Sequence, residues 1–334
     1  SEVTTPSPSP TAPPTPKPII SEAEADVLTE EWIATEILFE STKEYENKGN
    51  SDMAQFYVIL DVVFTNKTSG TSLTIPAFWH ENNTFAVRFA PTEYGIWEYT
   101  TICETDESLN GKTGTIGANE YSGDLEIYKR GFVNVEEGKK YFVYADGTPF
   151  FYLGDTHWNM LAEEFDSAGS HAAHIQTDSH FKYIVDKRVQ QGFTVYQSEP
   201  ISHSWNTNDC EFSKADAKAF AKADNYFKYI ADAGLVHANA QLVFGNSISQ
   251  KFAEDLEFME LACRMWVARY AAYPVMWTLG QEIDNDMYYE RGENGGAWFS
   301  FMNNPWINVA EFLHKYDPYK HPLSGHQENT GATT

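Results

Sequence analysis

The strongest constraint in this sequence is a repeated alternation of strand-like and helix-like segments after about residue 150. Short apolar runs alternate with longer stretches whose apolar residues recur at helical spacing. The predicted strands cover residues 150–155, 193–199, 235–244, 275–282 and 323–327, and the predicted helices cover residues 179–191, 214–232, 252–273 and 305–316. Such a chain forms a parallel sheet, because each helix returns the chain to the same end of the next strand.

Two architectures compete for this parallel sheet, a doubly wound sheet and a (β/α)8 barrel. A doubly wound sheet would normally carry a glycine-rich phosphate loop after its first strand. The first strand here ends in LGDTHW at residues 153–158, which has neither that loop nor a Walker pattern. Polar and aromatic residues at the carboxyl ends of successive strands are typical of a barrel mouth. We therefore predict a barrel domain over residues 131–334.

Side chains that can bind a sugar follow four of the predicted strands. They are Asp155, His157 and Trp158 after the first strand, Tyr196, Gln197 and Glu199 after the second with His203 and Trp205 beyond, Gln281, Glu282 and Asp284 after the fourth, and His326 and Gln327 after the fifth. Aromatic faces stack on sugar rings, while carboxylates and amides bind hydroxyl groups. This mixture predicts a site for a neutral, hydroxyl-rich substrate.

Several of these residues have a second interpretation. Asp155 could bind a substrate hydroxyl, or it could hold its loop through backbone amides. Trp158 and Trp205 could be sugar platforms or core residues, which is the commoner fate of a large aromatic side chain. Glu282 could cap a strand or pair with a nearby cation, although acids at this end of a barrel strand usually serve the site.

The region before the predicted barrel has apolar residues that alternate with a period of two. In residues 56–64 one face is entirely apolar, and residues 84–89 alternate in the same way. Turn sequences rich in Asn, Gly and Pro separate these strands. Several short strands at this spacing predict an immunoglobulin-like β-sandwich over residues 26–130. The predicted fold class is therefore a multidomain β plus α/β chain.

Residues 1–25 form a third region with its own composition. Fourteen of the first eighteen residues are Pro, Ser or Thr, which gives too little apolar surface to offset the chain entropy. We expect a disordered, extended linker. Such linkers resemble those that join the modules of secreted bacterial polysaccharide-degrading enzymes. We therefore expect a secreted, extracellular bacterial protein. We also expect this chain to be part of a larger, multimodular protein with further modules.

Composition excludes several classes of partner. Lys and Arg number 23 and Asp and Glu number 48, so the net charge of −25 repels nucleic acid and anionic membranes. The three cysteines are too few and too far apart for a disulfide framework, and no apolar run is long enough to span a membrane. His171, His174 and His180 suggest a metal, but they lie in or directly after a predicted loop and have no neighbouring Cys. We therefore expect no metal and no other cofactor.

The chain also resembles a known family, the apiosidase-like glycoside hydrolases. The resemblance is carried by YFVYADGTPFFYLGDTHW at residues 141–158, GFTVYQ at residues 192–197 and WTLGQE at residues 277–282. Upstream, PAFW at residues 76–79, VRFAP at residues 87–91 and GIWEY at residues 95–99 are similar to the small immunoglobulin-like domain that often precedes such barrels. The matches cover nearly everything after the linker.

The resemblance implies a retaining glycosidase, with a general acid/base at the end of the fourth strand and a nucleophile at the end of the seventh. Glu282 holds the first position, although this chain has GQE where family members often have GGD. Retaining glycosidases use two carboxyl groups about 5 to 5.5 Å apart. The acid must keep its proton near neutral pH, which an apolar wall favours. Candidates for that wall are Trp277, Tyr288 and Trp298.

A full barrel has eight strands and about 250 residues, whereas five strands are predicted here. We therefore expect the chain to be a fragment whose nucleophile lies beyond Thr334, and we expect the fragment alone to be inactive. The alternative function is a non-catalytic carbohydrate-binding or adhesion protein on the same scaffold. Either way the expected partner is an oligo- or polysaccharide, which binds at the strand ends.

Overall fold

The computed structural model describes residues 16–45, 47–48, 52–200, 209–240, 250–280, 283 and 305–326. The strands are β1 (Val27–Glu30), β2 (Thr35–Glu40), β3 (Asn47–Lys48), β4 (Asp52–Met53), β5 (Asp61–Asn66), β6 (Ser72–Pro76), β7 (Phe78–Glu81), β8 (Thr84–Phe89), β9 (Gly95–Ile102), β10 (Thr113–Asn119), β11 (Val133–Val135), β12 (Phe142–Tyr144), β13 (Gly154–Asn159), β14 (Val195–Glu199), β15 (Val236–Ala240), β16 (Val275–Thr278) and β17 (Leu323–Ser324). The α-helices are α1 (Glu126–Arg130), α2 (His180–Gln190), α3 (Lys214–Asp232), α4 (Gln250–Glu254), α5 (Leu256–Tyr270) and α6 (Trp306–Tyr316). None of these helices is both long enough and apolar enough to cross a membrane.

The core of the N-terminal part is two packed sheets, as the period-two pattern predicts, and we call this pair of sheets the sandwich. One sheet has the strand order β1-β10-β9-β5-β6, and the other has the order β2-β8-β7. The rings of Phe64 on β5 and Phe89 on β8 stack between the sheets with centroids 4.0 Å apart. The predicted strand at residues 84–89 is β8 itself, whereas residues 56–64 divide into a 3-10 turn at Ala54–Tyr57 and the start of β5.

Residues 16–25, which the sequence assigns to the disordered linker, pack against the N-terminal sheets instead. Residues 1–15 lie outside the described residues, but from residue 16 onward the chain packs against the sandwich. Ile20 is buried, and its backbone N–H donates to the Asn119 side chain at 2.8 Å while its carbonyl accepts from the same amide at 3.1 Å. This paired contact fixes the entry of the chain into β1.

The C-terminal part contains a five-stranded parallel sheet in the order β13-β14-β15-β16-β17. The predicted parallel sheet is thus present, and four of its five strands lie within the predicted ranges. The first strand begins four residues later than predicted. Before it, the Phe150 N–H donates to the Phe142 carbonyl at 2.8 Å, so the start of the predicted strand is bound to the β11–β12 hairpin.

The helices also follow the prediction, with one division. Gly192 and Gly234 follow α2 and α3 with φ of 82° and 78°, the left-handed conformation that ends a helix. The predicted helix at residues 252–273 is divided into α4 and α5, because Asp255 leaves the helical conformation and its carboxylate accepts from the Phe258 N–H at 3.0 Å.

The described helices contact one face of the parallel sheet. Tyr196 on β14 meets Phe181 on α2, with centroids 6.0 Å apart, and His237 on β15 meets Phe227 on α3 at 4.4 Å. The Trp266 indole on α5 donates to the Asn239 side chain on β15 at 3.2 Å. A doubly wound sheet carries helices on both faces, so the described elements form a singly wound sheet.

The two parts of the chain share an interface of buried charges, which we call the interface cluster and define as Arg88, Asp224 and Arg269. Arg88 lies on β8 of the sandwich, while Asp224 lies on α3 and Arg269 on α5. One oxygen of Asp224 accepts from Arg88 at 2.7 Å and from Arg269 at 2.8 Å. Nearby, Arg264 on α5 donates to the Leu60 carbonyl at 2.7 Å. Buried charges of this kind persist only when they are paired.

Candidate functional site

The parallel sheet is strongly curved at the end where its strands finish. The rings of Trp158, on the first strand of the sheet, and His326, just after the last strand, lie 5.4 Å apart. In a flat sheet the first and fifth strands would be separated by four spacings, or about 19 Å. The ring contact therefore means that the face left open by the described helices is concave and that side chains from opposite edges converge over it.

Four of the predicted site residues lie toward this concave face in the described part of the chain: Gln197, Glu199, Trp158 and His326. Gln197 and Glu199 are two residues apart on β14, so they share a face. The intervening Ser198 lies on the helix-covered face, where its hydroxyl is 2.7 Å from Nε2 of His237. Glu199 is buried, whereas Gln197, Trp158 and His326 are partly exposed. The concave face thus combines an indole, an imidazole, an amide and a carboxylate.

Asp155 lies on the other face of β13, toward α2. Its carboxylate accepts from the Arg188 guanidinium on α2 and from the Thr156 N–H at 2.9 Å. Burial acts to raise the pKa of Asp155, but Arg188 outweighs it and the net shift is downward. These contacts are those expected of a residue that holds its loop, the second of the two interpretations above. A role of Asp155 in substrate binding stays a prediction.

His157 is directed to the same side as Asp155. Its Nε2 lies 3.4 Å from the Asp155 carboxylate, and its ring meets the ring of Tyr196 edge-on. Burial lowers the pKa of His157, against the opposing effect of Asp155. His157 therefore belongs to the packing between β13, β14 and α2, and the concave face receives Trp158 instead.

The sequence suggests Trp277 as part of an apolar wall beside the acid. In the structure, however, its side chain lies away from the concave face. Its indole N–H donates to the buried Asp317 carboxylate at 2.9 Å, on the side of the sheet covered by α6. Asp317 is also 3.0 Å from Nδ1 of His321. Burial acts to raise the pKa of Asp317, whereas the contacts with His321 and Trp277 lower it. The net shift of this pKa is downward. This network fixes β16 against the helix layer.

Two hydroxyl groups on the concave face were not recognised from the sequence. Thr278 at the end of β16 and Ser324 on β17 are partners in register, and their oxygens lie 3.2 Å apart. They could bind substrate hydroxyls. Only the register between two parallel strands brings them together, and no local pattern in the sequence specifies that register.

The remaining predicted site residues lie outside the described residues. They are Trp205, Gln281, Glu282 and Asp284, together with the neighbouring His203 and Gln327 and the proposed wall residues Tyr288 and Trp298. Their roles stay predictions. In the sequence, Glu282 follows the last residue of β16 by four positions.

Among the described residues, one group of side chains could hold a metal ion. Glu163, His171 and His180 each offer a ligand atom, and these atoms lie within 4.8 Å of one another. Two of the three histidines considered in the sequence are thus brought together, with Glu163 in the place of His174. Glu163 was missed because it is separated from both histidines along a loop without regular periodicity.

The sequence matches two family profiles. Residues 136–334, more than half of the chain, match the family described as "Apiosidase-like, catalytic domain". Residues 29–104 match a domain of unknown function, DUF5060. No curated protein matches the chain significantly.

Solved structures that resemble this chain include two proteins from Bacteroides vulgatus ATCC 8482. The first, assigned to the glycoside hydrolases, has 18% sequence identity and a TM-score of 0.62 over 90% of this chain. The second, assigned to glycoside hydrolase family 5, has 18% identity and a TM-score of 0.41 over 60% of this chain. The chain spans 56% of the length of the first protein and 40% of the second. The first likeness shows a shared fold.

Proposed function

Since the chain belongs to the apiosidase-like catalytic domain family, we propose that it takes part in the hydrolysis of glycosidic bonds with retention of configuration. The resemblance seen in the sequence is confirmed by this membership. The proposed substrate is plant cell-wall or a related polysaccharide. The proposed architecture is an immunoglobulin-like sandwich followed by strands of a (β/α)8 barrel. The singly wound, curved sheet supports this architecture, because closure of a barrel requires both features.

The observation that carries the proposal is the position of β16 in the sheet. β16 is the fourth strand in an order that follows the chain, and it is paired on both sides, with β15 and β17. In a retaining barrel of this family the general acid/base follows the fourth strand. Glu282 is the carboxylic acid that comes next in the sequence after β16. We assign to Glu282 the protonation of the leaving oxygen and then the activation of water.

The concave face supports a role in sugar binding. Trp158 offers an aromatic surface on which a sugar ring can stack, and the neighbouring His326 limits the gap above the sheet. Gln197 and Glu199 add an amide and a carboxylate from β14. A curved face with one aromatic surface and several hydrogen-bonding groups is what a hydroxyl-rich ligand requires. The nucleophile in this proposal is a carboxylate on a seventh strand, outside the described residues.

The experiment that tests this function is the variant Glu282→Gln in the full-length protein. We expect loss of turnover on polysaccharide and unchanged polysaccharide binding, because the amide is isosteric but cannot donate a proton. Dinitrophenyl glycosides have a leaving group that needs no protonation, so the variant should still form the glycosyl-enzyme from them. Added azide should then restore turnover, because it attacks this intermediate without needing a general base. The anomer of the first product, read by NMR, reports retention.

The matched control is Glu311→Gln, which removes the same charge from an exposed position on α6. Unchanged turnover of Glu282→Gln on polysaccharide would remove Glu282 from the mechanism. Sugar binding by the wild-type full-length protein without turnover on any glycoside of a broad panel would favour a non-catalytic carbohydrate-binding protein.

We also propose that the protein is secreted by a bacterium. The support is the Pro-, Ser- and Thr-rich composition of the first eighteen residues, which is typical of linkers between extracellular modules. Fractionation of the native host, with the protein detected in the medium or at the cell surface, would test this location. Detection in the cytoplasm alone would refute it.

A further inference from the structure

A long loop connects β13 to α2 and contains little regular structure. Among residues 160–179 there are two short 3-10 turns, at Met160–Ala162 and Gly169–His171. The start of the loop is held by α3, since the Lys222 ammonium donates to the Leu161 carbonyl at 2.8 Å and the Tyr226 hydroxyl donates to the Glu163 carbonyl at 2.7 Å. A loop of this length in a compact domain is usually functional or requires its own support.

The second half of the loop is brought back onto the first by three side chains. Nδ1 of His180, at the start of α2, contacts the Glu163 carboxylate. The rings of His171 and His180 stack with centroids 3.8 Å apart and an angle of 24° between them. The side chains of His180 and Glu163 are 11% and 26% exposed, whereas His171 is exposed. The group is thus fixed on its inner side and open to solvent on its outer side.

We propose that Glu163, His171 and His180 form a binding site for a divalent transition metal ion, with zinc as the best match. Two imidazoles and one carboxylate are a common zinc ligand set, at about 2.0 to 2.2 Å from the ion. Tetrahedral ligands at that distance are about 3.3 Å apart, and the three ligand atoms already lie within 4.8 Å of one another. To admit the ion, the direct His180–Glu163 contact must open slightly and the stacked imidazoles must turn until both ring planes meet at the ion. The exposed His171 can supply this movement by rotating its side chain, and water takes the fourth position.

The ion binds the loop to the first residue of α2. It would join three points of the chain, in the first turn of the loop, in its second 3-10 turn and in the helix. The loop follows β13, so the ion lies at the edge of the sheet where the strands end. This inference revises the expectation from the sequence that no metal binds. It does not depend on the proposed glycosidase activity, because its test uses no sugar.

The test is metal binding by the untagged protein after removal of metals with a chelator. Equilibrium dialysis against Zn²⁺, followed by elemental analysis, should give one ion per chain. With Co²⁺ as a spectroscopic substitute, intense visible absorption should indicate a tetrahedral site. Glu163→Gln and His171→Ala should each weaken binding at least about tenfold. His174→Ala is the matched control, a histidine of the same loop outside the group, and should leave binding unchanged.

Two results would overturn the proposal. One is the absence of stoichiometric binding of Zn²⁺ or Co²⁺ by the wild-type protein, which would leave Glu163 and His180 as a hydrogen-bonded pair only. The other is an equal loss of affinity in His174→Ala and His171→Ala, which would mark adventitious binding to surface histidines. Because His171 is exposed, its replacement should leave the fold intact, as circular dichroism would verify.

Discussion

Replacement of Asp224 by Ala should destabilise the protein far more than the loss of one surface charge. Asp224 is the only acidic partner that the described contacts give to Arg269, whereas Arg88 also binds Glu36 at 2.8 Å. The side chains of Arg88, Asp224 and Arg269 are 7%, 14% and 4% exposed. The variant would therefore leave a buried guanidinium without a counter-charge, which costs about 3 to 5 kcal/mol.

The pKa of Asp224 gives a second measure of the same interaction. Burial acts to raise this pKa, but the charges of Arg269 and Arg88 outweigh burial and lower it to about 2 from an ordinary 3.8. That difference corresponds to about 2 kcal/mol. A lowered carboxylate pKa stabilises the folded state above the unfolded pKa, near 4. This contribution is lost as the pH falls from about 4 through about 2, and Asp224→Asn should lack it at every pH.

Urea unfolding at pH 7 would measure the loss, with Asp232→Ala as the matched control. Asp232 lies on the same helix as Asp224 but is exposed, and its partner is Lys228 at 2.6 Å. An exposed pair four residues apart contributes about 0.5 kcal/mol or less. Equal destabilisation by the two variants would refute the argument that the interface cluster holds the two parts of the chain together.

Three further predictions concern other parts of the structure, with urea unfolding as the main measurement. Phe64→Ala should cost about 3 to 5 kcal/mol, because it removes a fully buried ring that stacks on Phe89 between the two sheets; a cost below 1 kcal/mol would contradict this packing. In a double-mutant cycle, Asp155→Asn and Arg188→Met should show a coupling free energy of about 1 kcal/mol. Neither variant should change the affinity for sugar. A loss of sugar affinity in Asp155→Asn alone would favour a role of Asp155 in substrate binding. Burial lowers the pKa of His237 from 6.5 to about 3, so the folded state resists protonation of this side chain. The free energy of unfolding of the wild type should therefore fall by about 2 kcal/mol between pH 6.5 and 5. His237→Gln should lack this fall, and an equal dependence of stability on pH in both proteins would exclude His237 as its source.

Much of the fold could be predicted because the sequence specifies it locally. The helix α3 matches its predicted range because Ser213 and Asp216 form a capping box at its start and Gly234 follows its end. The first strand of the parallel sheet was misplaced because Phe142 competes for the backbone of Phe150. This hydrogen bond joins two separate segments of the chain, so the local periodicity of the sequence cannot predict it.

The candidate site could be predicted only in part, because a strand end specifies an edge of the sheet but not a face. Asp155 and Trp158 are close in sequence, yet the first contacts α2 and the second contacts His326 over the concave face. The register between β13 and β14 also shifts between Thr156 and Asn159, which interrupts the alternation. A sequence-based assignment that treats all strand-end residues alike therefore mixes the two faces.

The N-terminal sandwich packs against α5, one of the helices that cover the parallel sheet, and this contact gives it a mechanical role. Both faces of β8 are buried, since Phe89 packs inside the sandwich while Ala86 packs against Ala268 of α5. Arg264, also on α5, donates to the Leu60 carbonyl and to Asp61 on the sandwich. The helix α5 leads directly into β16, the strand that precedes Glu282 in the sequence. Because contacts from the sandwich fix α5 along its length, they also fix the position from which β16 starts, so the sandwich supports the fourth strand of the sheet without having to bind sugar itself.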